Sequence, residues 1–267
     1  MQEIRLSGMV ICQDEAERIG ACLDSLAFCD EVVVVDSGST DGTLDIVRSK
    51  GAQLFQNPWA GMNGQKDFAR QKARGRWVLN VDADEVVSPE LAQEVRAIAD
   101  ADADADGPVA YKMPFRNYFR DAWVRHCGYY PDPHIRFVRA DVCRWDAAVP
   151  AHDKVLVEGD VGELRGHVDH FSFSSIDDFL SKSRRYSSAF ALTAYKKGRR
   201  SSGGTVLVHT ATRFFKAYVL KAGFLDGTLG LVVSGLQAYE VFQKYVRLWE
   251  LSRFGPPPDL EVHGDAK

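Results

Sequence analysis

The sequence has few of the features that mark secreted, disulfide-bonded or membrane-embedded proteins. Its five cysteines among 267 residues are an odd number without a Cys-x-x-Cys pair, so neither a disulfide framework nor a zinc knuckle is expected. The amino terminus lacks the basic and then apolar pattern of a secretory signal. No segment reaches the roughly 18 uncharged apolar residues of a membrane-spanning helix, and residues 227–239 come nearest. These absences predict a cytoplasmic protein with reduced thiols that is not integral to a membrane.

Acidic residues are absent from one long segment, residues 179–225, which contains ten lysines and arginines. The whole chain has a net charge of −4, so removing these ten positive charges leaves −14. A basic segment without counter-charges suits phosphate groups on a membrane surface, on a lipid-linked substrate or on nucleic acid. Nucleic acid is disfavoured, because the overall charge is negative and no recognition motif occurs. A solvated helix face is the simplest alternative explanation.

Strand and helix patterns alternate through the first third of the chain. The composition, 45% hydrophobic and 26% charged, is that of an ordinary globular protein. Strand patterns occur at residues 6–12, 31–36, 52–56 and from 77, and helical spacing occurs at 19–26, 44–47 and 64–73. Short connections between alternating strands and helices predict an α/β fold with a doubly wound, mostly parallel sheet, whose ligands lie at the carboxyl ends of its strands.

Acidic residues follow several of these strands and should meet at one edge of the sheet. They are Glu15, Asp36, Asp82 and Asp84. Asp82 and Asp84 are expected on one side of an extended backbone, because side chains alternate with period two. Together they could hold Mg²⁺ or Mn²⁺, which favour oxygen ligands. The alternative is a pair of solvated carboxylates, since the same spacing recurs in an Ala-Asp run at 100–106 that is typical of a linker.

The second half of the chain is richer in aromatic residues than the first. This change in composition predicts four segments. These are an α/β half at 1–106, an aromatic acceptor-side part at 107–173, a mainly helical extension at 174–254 and a flexible tail at 255–267. Tyr129 and Tyr130 precede Pro131-Asp132, which favours a turn that could offer rings to a sugar, although core packing explains such aromatics equally well. Ser174 and Ser175 stand three residues before acids and predict a helix start.

Two motifs resemble family 2 glycosyltransferases of the GT-A fold. They are Val-Val-Val-Asp-Ser-Gly-Ser-Thr-Asp-Gly-Thr at 33–43 and Leu-Asn-Val-Asp-Ala-Asp-Glu at 79–85. Five further pieces are similar to the branch that adds glucose to the heptose of lipopolysaccharide inner core by a β-1,4 linkage. They are Gln-Lys-Asp-Phe-Ala at 65–69, Gly-Tyr-Tyr-Pro-Asp at 128–132, Arg-Phe-Val-Arg at 136–139, His-Asp at 152–153 and Gly-Phe-Leu-Asp-Gly at 223–227.

The resemblance implies a role for each matching residue. Asp36 would bind the uracil or ribose of a UDP-sugar, and Glu15 would border that pocket. Asp82 and Asp84 would form the Asp-x-Asp pair, with Asp84 the direct ligand of Mg²⁺ or Mn²⁺. The remaining assignments are the base Asp153, acceptor binding by His152, Tyr129 and Tyr130, help to the leaving diphosphate from Lys66 or Arg136, and a possible third metal ligand in His170, for which a structural histidine is the alternative.

The chain departs from the family pattern at a few positions. Many relatives have Asp where Ser37 stands and Asn where Asp14 stands, and the branch usually has His-Glu at 152–153. The expected reaction is direct, inverting and metal-dependent transfer of glucose from UDP-glucose to a phosphorylated glycolipid at the cytoplasmic face of a bacterial inner membrane. Residues 179–225 would dock on anionic lipid. Alternatives are a polyprenyl phosphate or protein acceptor, or a nucleotide-sugar-binding protein without turnover. A nucleotidyltransferase would need a Gly-x-Gly-Thr-Arg loop, which is missing.

Overall fold

The computed structural model describes residues 3–101, 107–146 and 155–256. A π-helical turn at Lys216–Leu220 and a 3-10 turn at Gly223–Asp226 join the last two of its helices. The helices are α1 (Ile19–Ser25), α2 (Thr43–Ser49), α3 (Met62–Lys72), α4 (Pro89–Asp100), α5 (Ile176–Lys196), α6 (Gly203–Phe215) and α7 (Gly227–Phe254). The strands are β1 (Leu6–Cys12), β2 (Glu31–Asp36), β3 (Gln53–Gln56), β4 (Trp77–Asp82), β5 (Glu85–Val87), β6 (Ala110–Met113), β7 (Phe115–Phe119), β8 (Ala122–Trp123), β9 (His134–Arg139), β10 (Cys143–Trp145), β11 (Val155–Val157), β12 (Val161–Glu163) and β13 (Val168–Phe173).

The described residues form two compact units. The first unit covers the residues up to 115 and residues 132–170, and the second covers 116–131 and the residues from 171 onwards. The four segments expected from the sequence stay a prediction. Most of the Ala-Asp linker and most of the tail lie outside the described residues.

A seven-stranded sheet forms the centre of the first unit, in the order β12-β6-β9-β4-β1-β2-β3. Strand β1 lies between β4 and β2 and runs parallel to both, β3 is parallel to β2, and β9 is antiparallel to its neighbours. The mostly parallel α/β sheet predicted from the sequence is therefore confirmed. Val33, Val34 and Val35 are fully buried, as expected for a strand covered by helices on both faces.

Alternation along the strands divides the core of this sheet into two layers. Leu6 and Val10 of β1 belong to the hydrophobic cluster on one face, whereas Met9 and Ile11 belong to the cluster on the other. Successive side chains of a strand point to opposite faces. Strand register then places the acids: Cys12 pairs with Asp36 and Ile11 pairs with Asp82. Both carboxylates therefore arrive at the same edge of the sheet.

One local expectation about this edge was wrong. Strand β4 ends at Asp82, residues 83–84 form a turn, and β5 begins at Glu85. Asp82 and Asp84 therefore do not share one side of a single extended strand. The helix start at Ser88 is confirmed, because its hydroxyl accepts a hydrogen bond from the Leu91 amide at 3.2 Å, in the manner of an N-cap.

The second unit is mainly helical, which confirms the helical extension. Its helix α5 begins with reciprocal hydrogen bonds: the Asp178 amide donates to the Ser175 hydroxyl at 3.0 Å, and the Ser174 amide donates to the Asp178 carboxylate at 3.1 Å. Among the described residues, no single helix is both long and apolar enough to cross a membrane. Residues 203–220 and 223–254 meet that requirement only as a pair, which is bent by 68°.

Candidate active site

The loop after β2 is folded around the carboxylate of Asp36. That carboxylate accepts hydrogen bonds from the amides of Gly38 at 2.8 Å and Ser39 at 3.0 Å, and from the Ser39 hydroxyl. Gly38 has a φ of 103°, a conformation that a residue with a Cβ adopts only with strain. The buried Asp36 therefore fixes the shape of the loop, and its role in binding a nucleotide stays a prediction.

The loops after β1 and β2 are tied together at the same edge. The Thr40 amide donates to Asp14 at 2.7 Å, and the Ala16 amide donates to Asp41 at 3.0 Å. Glu15, the other residue predicted to line a nucleotide pocket, donates its amide to the Thr43 hydroxyl at 2.8 Å. These cross-links hold Glu15 and Asp36 on neighbouring loops of one edge.

Asp82, at the end of β4, lies between two buried cations. Lys66 Nζ of α3 is 2.8 Å from its Oδ1, and Arg136 Nη2 of β9 is 2.9 Å from its Oδ2. Lys66 is fully buried and Arg136 is nearly so. Burial alone would raise the pKa of Asp82, but Arg136 and Lys66 outweigh it and hold that pKa well below its usual range. Asp82 is therefore a fixed, ionised group.

The same cations organise the residues around Asp82. Arg136 Nη2 also lies 2.9 Å from Glu85 Oε1, and the Asp82 amide donates to Glu85 Oε2 at 2.8 Å. With its amide oxygen turned towards the two cations, Asn80 accepts from Arg136 at 2.6 Å and from Lys66 at 3.1 Å. Burial raises the pKa of Glu85 against the opposing effect of Arg136, with the charges of Asp82 and Asp84 adding to the rise.

Asp84, Glu85 and His170 form a candidate metal centre. One ligand atom of each residue lies within 4.8 Å of the others. His170 comes from β13, whose first half pairs with β5 and so brings the imidazole to the acids. Burial would lower the pKa of His170, but Asp84, Glu85 and Asp82 outweigh it and raise that pKa. Two carboxylates and an imidazole are ligand types that divalent ions accept, so the donor set fits a metal.

A further cation, Arg18, lies beside this centre. Its Nη1 is 3.7 Å from Asp84 Oδ2, and His170 Nε2 is 3.5 Å from the same oxygen. Three carboxylates, Asp82, Asp84 and Glu85, are thus matched by Lys66, Arg136 and Arg18. An edge of this kind can hold a compact group of charges, such as a divalent ion with a diphosphate, without leaving a buried charge unpaired.

The predicted site residues divide between the two units. Glu15, Asp36, Lys66, Asp82, Asp84, Arg136 and His170 all belong to the first unit. Tyr129 belongs to the second, where it packs against the cluster around Val124 and Ala217, and burial raises the pKa of its hydroxyl to about 12. Tyr130 is exposed, with its ring edge-to-face on Trp123.

Two predicted residues, His152 and Asp153, lie outside the described residues. Three contributors to the site had no role assigned from the sequence. Glu85 belongs to the acidic run that follows β4, so the sequence could have indicated it. Asn80 lies within the strand pattern, and nothing in the sequence distinguishes it from a structural strand residue. Arg18 carries no periodic signal, because it lies in the turn before α1.

Comparisons with known proteins show the family to which the chain belongs. Residues 7–149 match the model of "Glycosyl transferase family 2". The chain is 29% identical to the lipopolysaccharide core biosynthesis glycosyltransferase LpsC of Rhizobium meliloti, over 91% of this chain and 94% of LpsC. It is 32% identical to the uncharacterized glycosyltransferase RT0209 of Rickettsia typhi, over 93% of this chain and 88% of that protein.

Similar solved structures include residues 1–349 of S. aureus TarS in complex with UDP, at 16% identity and a TM-score of 0.45, covering 95% of this chain and 92% of that one. Another is glucosyl-3-phosphoglycerate synthase from Mycobacterium tuberculosis in complex with phosphoglyceric acid, at 15% identity and a TM-score of 0.48, covering 75% of this chain and 82% of that one. The matched family model spans more than half of the chain and contains the edge with Asp36, Asp82 and Asp84. The chain therefore belongs to glycosyltransferase family 2 and has a fold of the GT-A type.

Proposed function

We propose that the protein is an inverting glycosyltransferase that moves glucose from UDP-glucose to a sugar of the lipopolysaccharide core or of a related glycolipid. The observation that carries this proposal is the acidic edge of the first unit, where two fixed loops and a charge-matched cluster meet. The similarity to LpsC over nearly its whole length supports the choice of acceptor class.

The donor would bind across the loops after β1, β2 and β4. Glu15 would contact its uridine, and the buried Asp36 would shape the neighbouring loop against which the uridine lies, since the two loops are tied to each other. Lys66 is fully buried and lies against Asp82. We therefore assign Lys66 and Arg136 to positioning of Asp82 and Glu85 rather than to direct contact with the leaving diphosphate.

Asp84, Glu85 and His170 would hold a divalent ion, and their mixture of carboxylates and imidazole favours Mn²⁺ over Mg²⁺. Such an ion acts as a Lewis acid that neutralises the charge of a leaving diphosphate. Arg18 would share this task, because its guanidinium lies beside Asp84 and can pair with a phosphate oxygen.

The acceptor hydroxyl needs a base to take its proton, and we assign that role to Asp153, with His152 beside it. General base catalysis typically contributes about 10²–10⁴-fold. Direct attack on an α-linked donor from the opposite face inverts the anomeric centre and gives a β-linked product. We place the reaction at the cytoplasmic face of a bacterial inner membrane, where residues 179–225 would supply electrostatic attraction to anionic lipid.

The test is calorimetric binding of UDP-glucose and competing nucleotide sugars with and without Mn²⁺, followed by turnover on lipopolysaccharide core acceptors. Asp84→Asn should abolish the Mn²⁺-dependent part of binding and lower turnover about a thousandfold, since the ion contributes several kcal/mol to the transition state. Asp45→Asn is the matched control, because Asp45 is an exposed acid of α2 and should behave like the wild type.

Two other results of this experiment would change or overturn the proposed function. Binding of UDP-glucose without turnover on any core acceptor would favour a different acceptor, a polyprenyl phosphate or a protein, or a binding protein without turnover. The absence of binding for every nucleotide sugar, with either metal, would overturn the assignment of the donor site.

A further inference from the structure

The turn between α6 and α7 exposes large apolar side chains. We define the apolar bend as residues 215–232, which contain the π-helical and 3-10 turns and the first turns of α7. Exposed side chains here include Leu220 at 66% and Leu225 at 62%. Single exposed apolar residues are ordinary, but a contiguous group of this size marks an interaction surface. The exposed apolar side chains that matter most are Phe215, Val219, Leu220, Phe224, Leu225 and Leu231.

The exposed group is the outer side of a well-packed structure, not a loosely folded segment. On the inner side, Ala217 and Val233 are buried against Val124 and Cys127. A side chain at Gly230 would lie 1.7 Å from the Gly223 carbonyl oxygen, so the backbone makes a close contact that only glycine allows. The bend is thus rigid on the inside, while its outer side lacks a protein partner among the described residues.

The exposed charged residues of the apolar bend are lysines. Lys216 and Lys221 are exposed within it, and Arg213 precedes it. Residues 198–239 contain a single acid, Asp226. Its side chain is only 6% exposed, and it accepts hydrogen bonds from the His126 amide at 2.8 Å and lies 2.6 Å from the His126 ring. Among the described residues of the bend itself, the outer surface therefore presents apolar groups and positive charge, and its one carboxylate is turned inward.

These properties distinguish among occupants. A second copy of the chain would bring two sets of lysines together, which repel each other. An anionic lipid surface offers the complementary charge, and its acyl region accepts apolar side chains, as it does for interfacial helices with basic flanks. Lysine stems can extend so that the ammonium groups reach lipid phosphates while the neighbouring apolar groups lie deeper.

We propose that the apolar bend inserts into one leaflet of an anionic membrane, with Lys216 and Lys221 at the headgroups. This goes beyond the electrostatic docking of residues 179–225, because insertion adds an apolar contribution that salt does not screen. It extends the proposed function, since a glycolipid acceptor would be presented by the same membrane. Binding to vesicles requires neither donor nor acceptor, however, and can succeed or fail independently of the transferase reaction.

The experiment is flotation of the purified full chain with vesicles of phosphatidylcholine or of an equal mixture of phosphatidylcholine and phosphatidylglycerol. The wild type should bind the mixed vesicles and keep part of that binding at high salt. Phe224→Asp should lower partitioning at least about tenfold, because burial of one large apolar side chain is lost. The matched control is Phe254→Asp. Phe254 is an exposed residue at the other end of α7, about 40 Å away along the helix, so this variant should bind the vesicles like the wild type.

A second variant guards against misfolding, because the Phe224 ring contacts Tyr218. Leu220→Asp changes a more exposed side chain and should give a loss similar to that of Phe224→Asp, with an unchanged circular dichroism spectrum. The proposal is overturned if the wild type does not float with anionic vesicles, or if high salt removes all binding. It is also overturned if Phe224→Asp and Phe254→Asp bind equally, or if the bend variants instead abolish self-association in sedimentation. UDP-glucose calorimetry on the same variants should match the wild type.

Discussion

The two units of the molecule treat charge in opposite ways. In the first unit, the carboxylates at the sheet edge are matched by cations at contact distance, and Lys66, Arg136 and Glu85 are buried. In the second unit, Lys182 pairs with Asp178 at the start of α5, but residues 183–225 carry nine further basic groups and no acid. The one acid of the apolar bend is turned inward to His126. Pairing in a buried network fixes geometry, whereas unpaired charge on a surface gives attraction without direction.

This difference separates two kinds of recognition. A buried, charge-matched cluster suits a small ligand that must be held in one orientation, as transfer chemistry requires. An exposed basic and apolar surface suits an extended partner that offers many equivalent contacts. Substitutions in the two regions should therefore differ in size, because losing one partner of a buried pair leaves an uncompensated charge, whereas exposed charges contribute little.

The largest effect is expected from Arg136→Met. This substitution removes the cation shared by Asp82 and Glu85 and leaves two carboxylates without it in a buried setting. The free energy of unfolding should fall by about 3–5 kcal/mol, as measured by urea denaturation. Arg184→Met, which removes an exposed cation from α5, should change it by less than about 0.5 kcal/mol. Equal effects of the two substitutions would remove the energetic basis of the comparison.

The main strands and helices of the first unit could be predicted from the sequence, because each depends on the pattern of neighbouring residues. Uninterrupted β-branched residues define β2, and the alternation at Trp77, Leu79 and Val81 defines β4, because these patterns depend only on which face is buried. The shared edge of the acids follows from strand direction alone. The turn at 83–84 was not predicted, since the sequence there continues the polar alternation of an extended strand.

The partners of each charge could not be derived from local pattern. Arg136 is 54 residues from Asp82, and nothing in either segment indicates the other. From the family resemblance, Lys66 and Arg136 were predicted to contact the leaving diphosphate. In the structure both side chains instead contact Asp82. The packing of Tyr129 could not be predicted for the same reason. Its turn is indicated by the neighbouring residues, but its ring packs against Ala217 and Val233, which lie about a hundred residues later in the chain.

A smaller effect that depends on pH is expected at Glu31, far along the chain from the candidate metal centre. Its buried carboxylate accepts hydrogen bonds from the Ser7 hydroxyl at 2.7 Å, from the Gln53 amide group at 2.7 Å, and from Arg74. Burial would raise its pKa, but these bonds outweigh burial and lower it. Glu31 therefore stabilises the fold above its unfolded-state pKa, and this contribution is lost as the pH falls through its folded-state pKa.

Glu31→Gln should accordingly lower the free energy of unfolding by about 2 kcal/mol at neutral pH. The difference from the wild type should shrink below about pH 4, where the carboxyl becomes protonated in the unfolded chain. Urea denaturation across this pH range measures both quantities. Glu3→Gln is the control, because Glu3 is largely exposed and should give no comparable difference. A difference that is constant with pH would contradict the assigned role of the charge.

The smallest effects compare one helix cap in each unit. Ser88 is buried, and its hydroxyl accepts from the amides of Leu91 and His167, each at 3.2 Å, whereas the partly exposed Ser175 accepts from Asp178 alone. Ser88→Ala should therefore lower the free energy of unfolding by about 2 kcal/mol, because it leaves two backbone amides without their hydrogen-bond acceptor. Ser175→Ala should lower it by about 1 kcal/mol or less. Thermal and urea denaturation of both variants give the comparison. A larger loss at Ser175 would mean that exposure to water does not compensate the amide of α5, and that the second unit depends on local hydrogen bonds as strongly as the first.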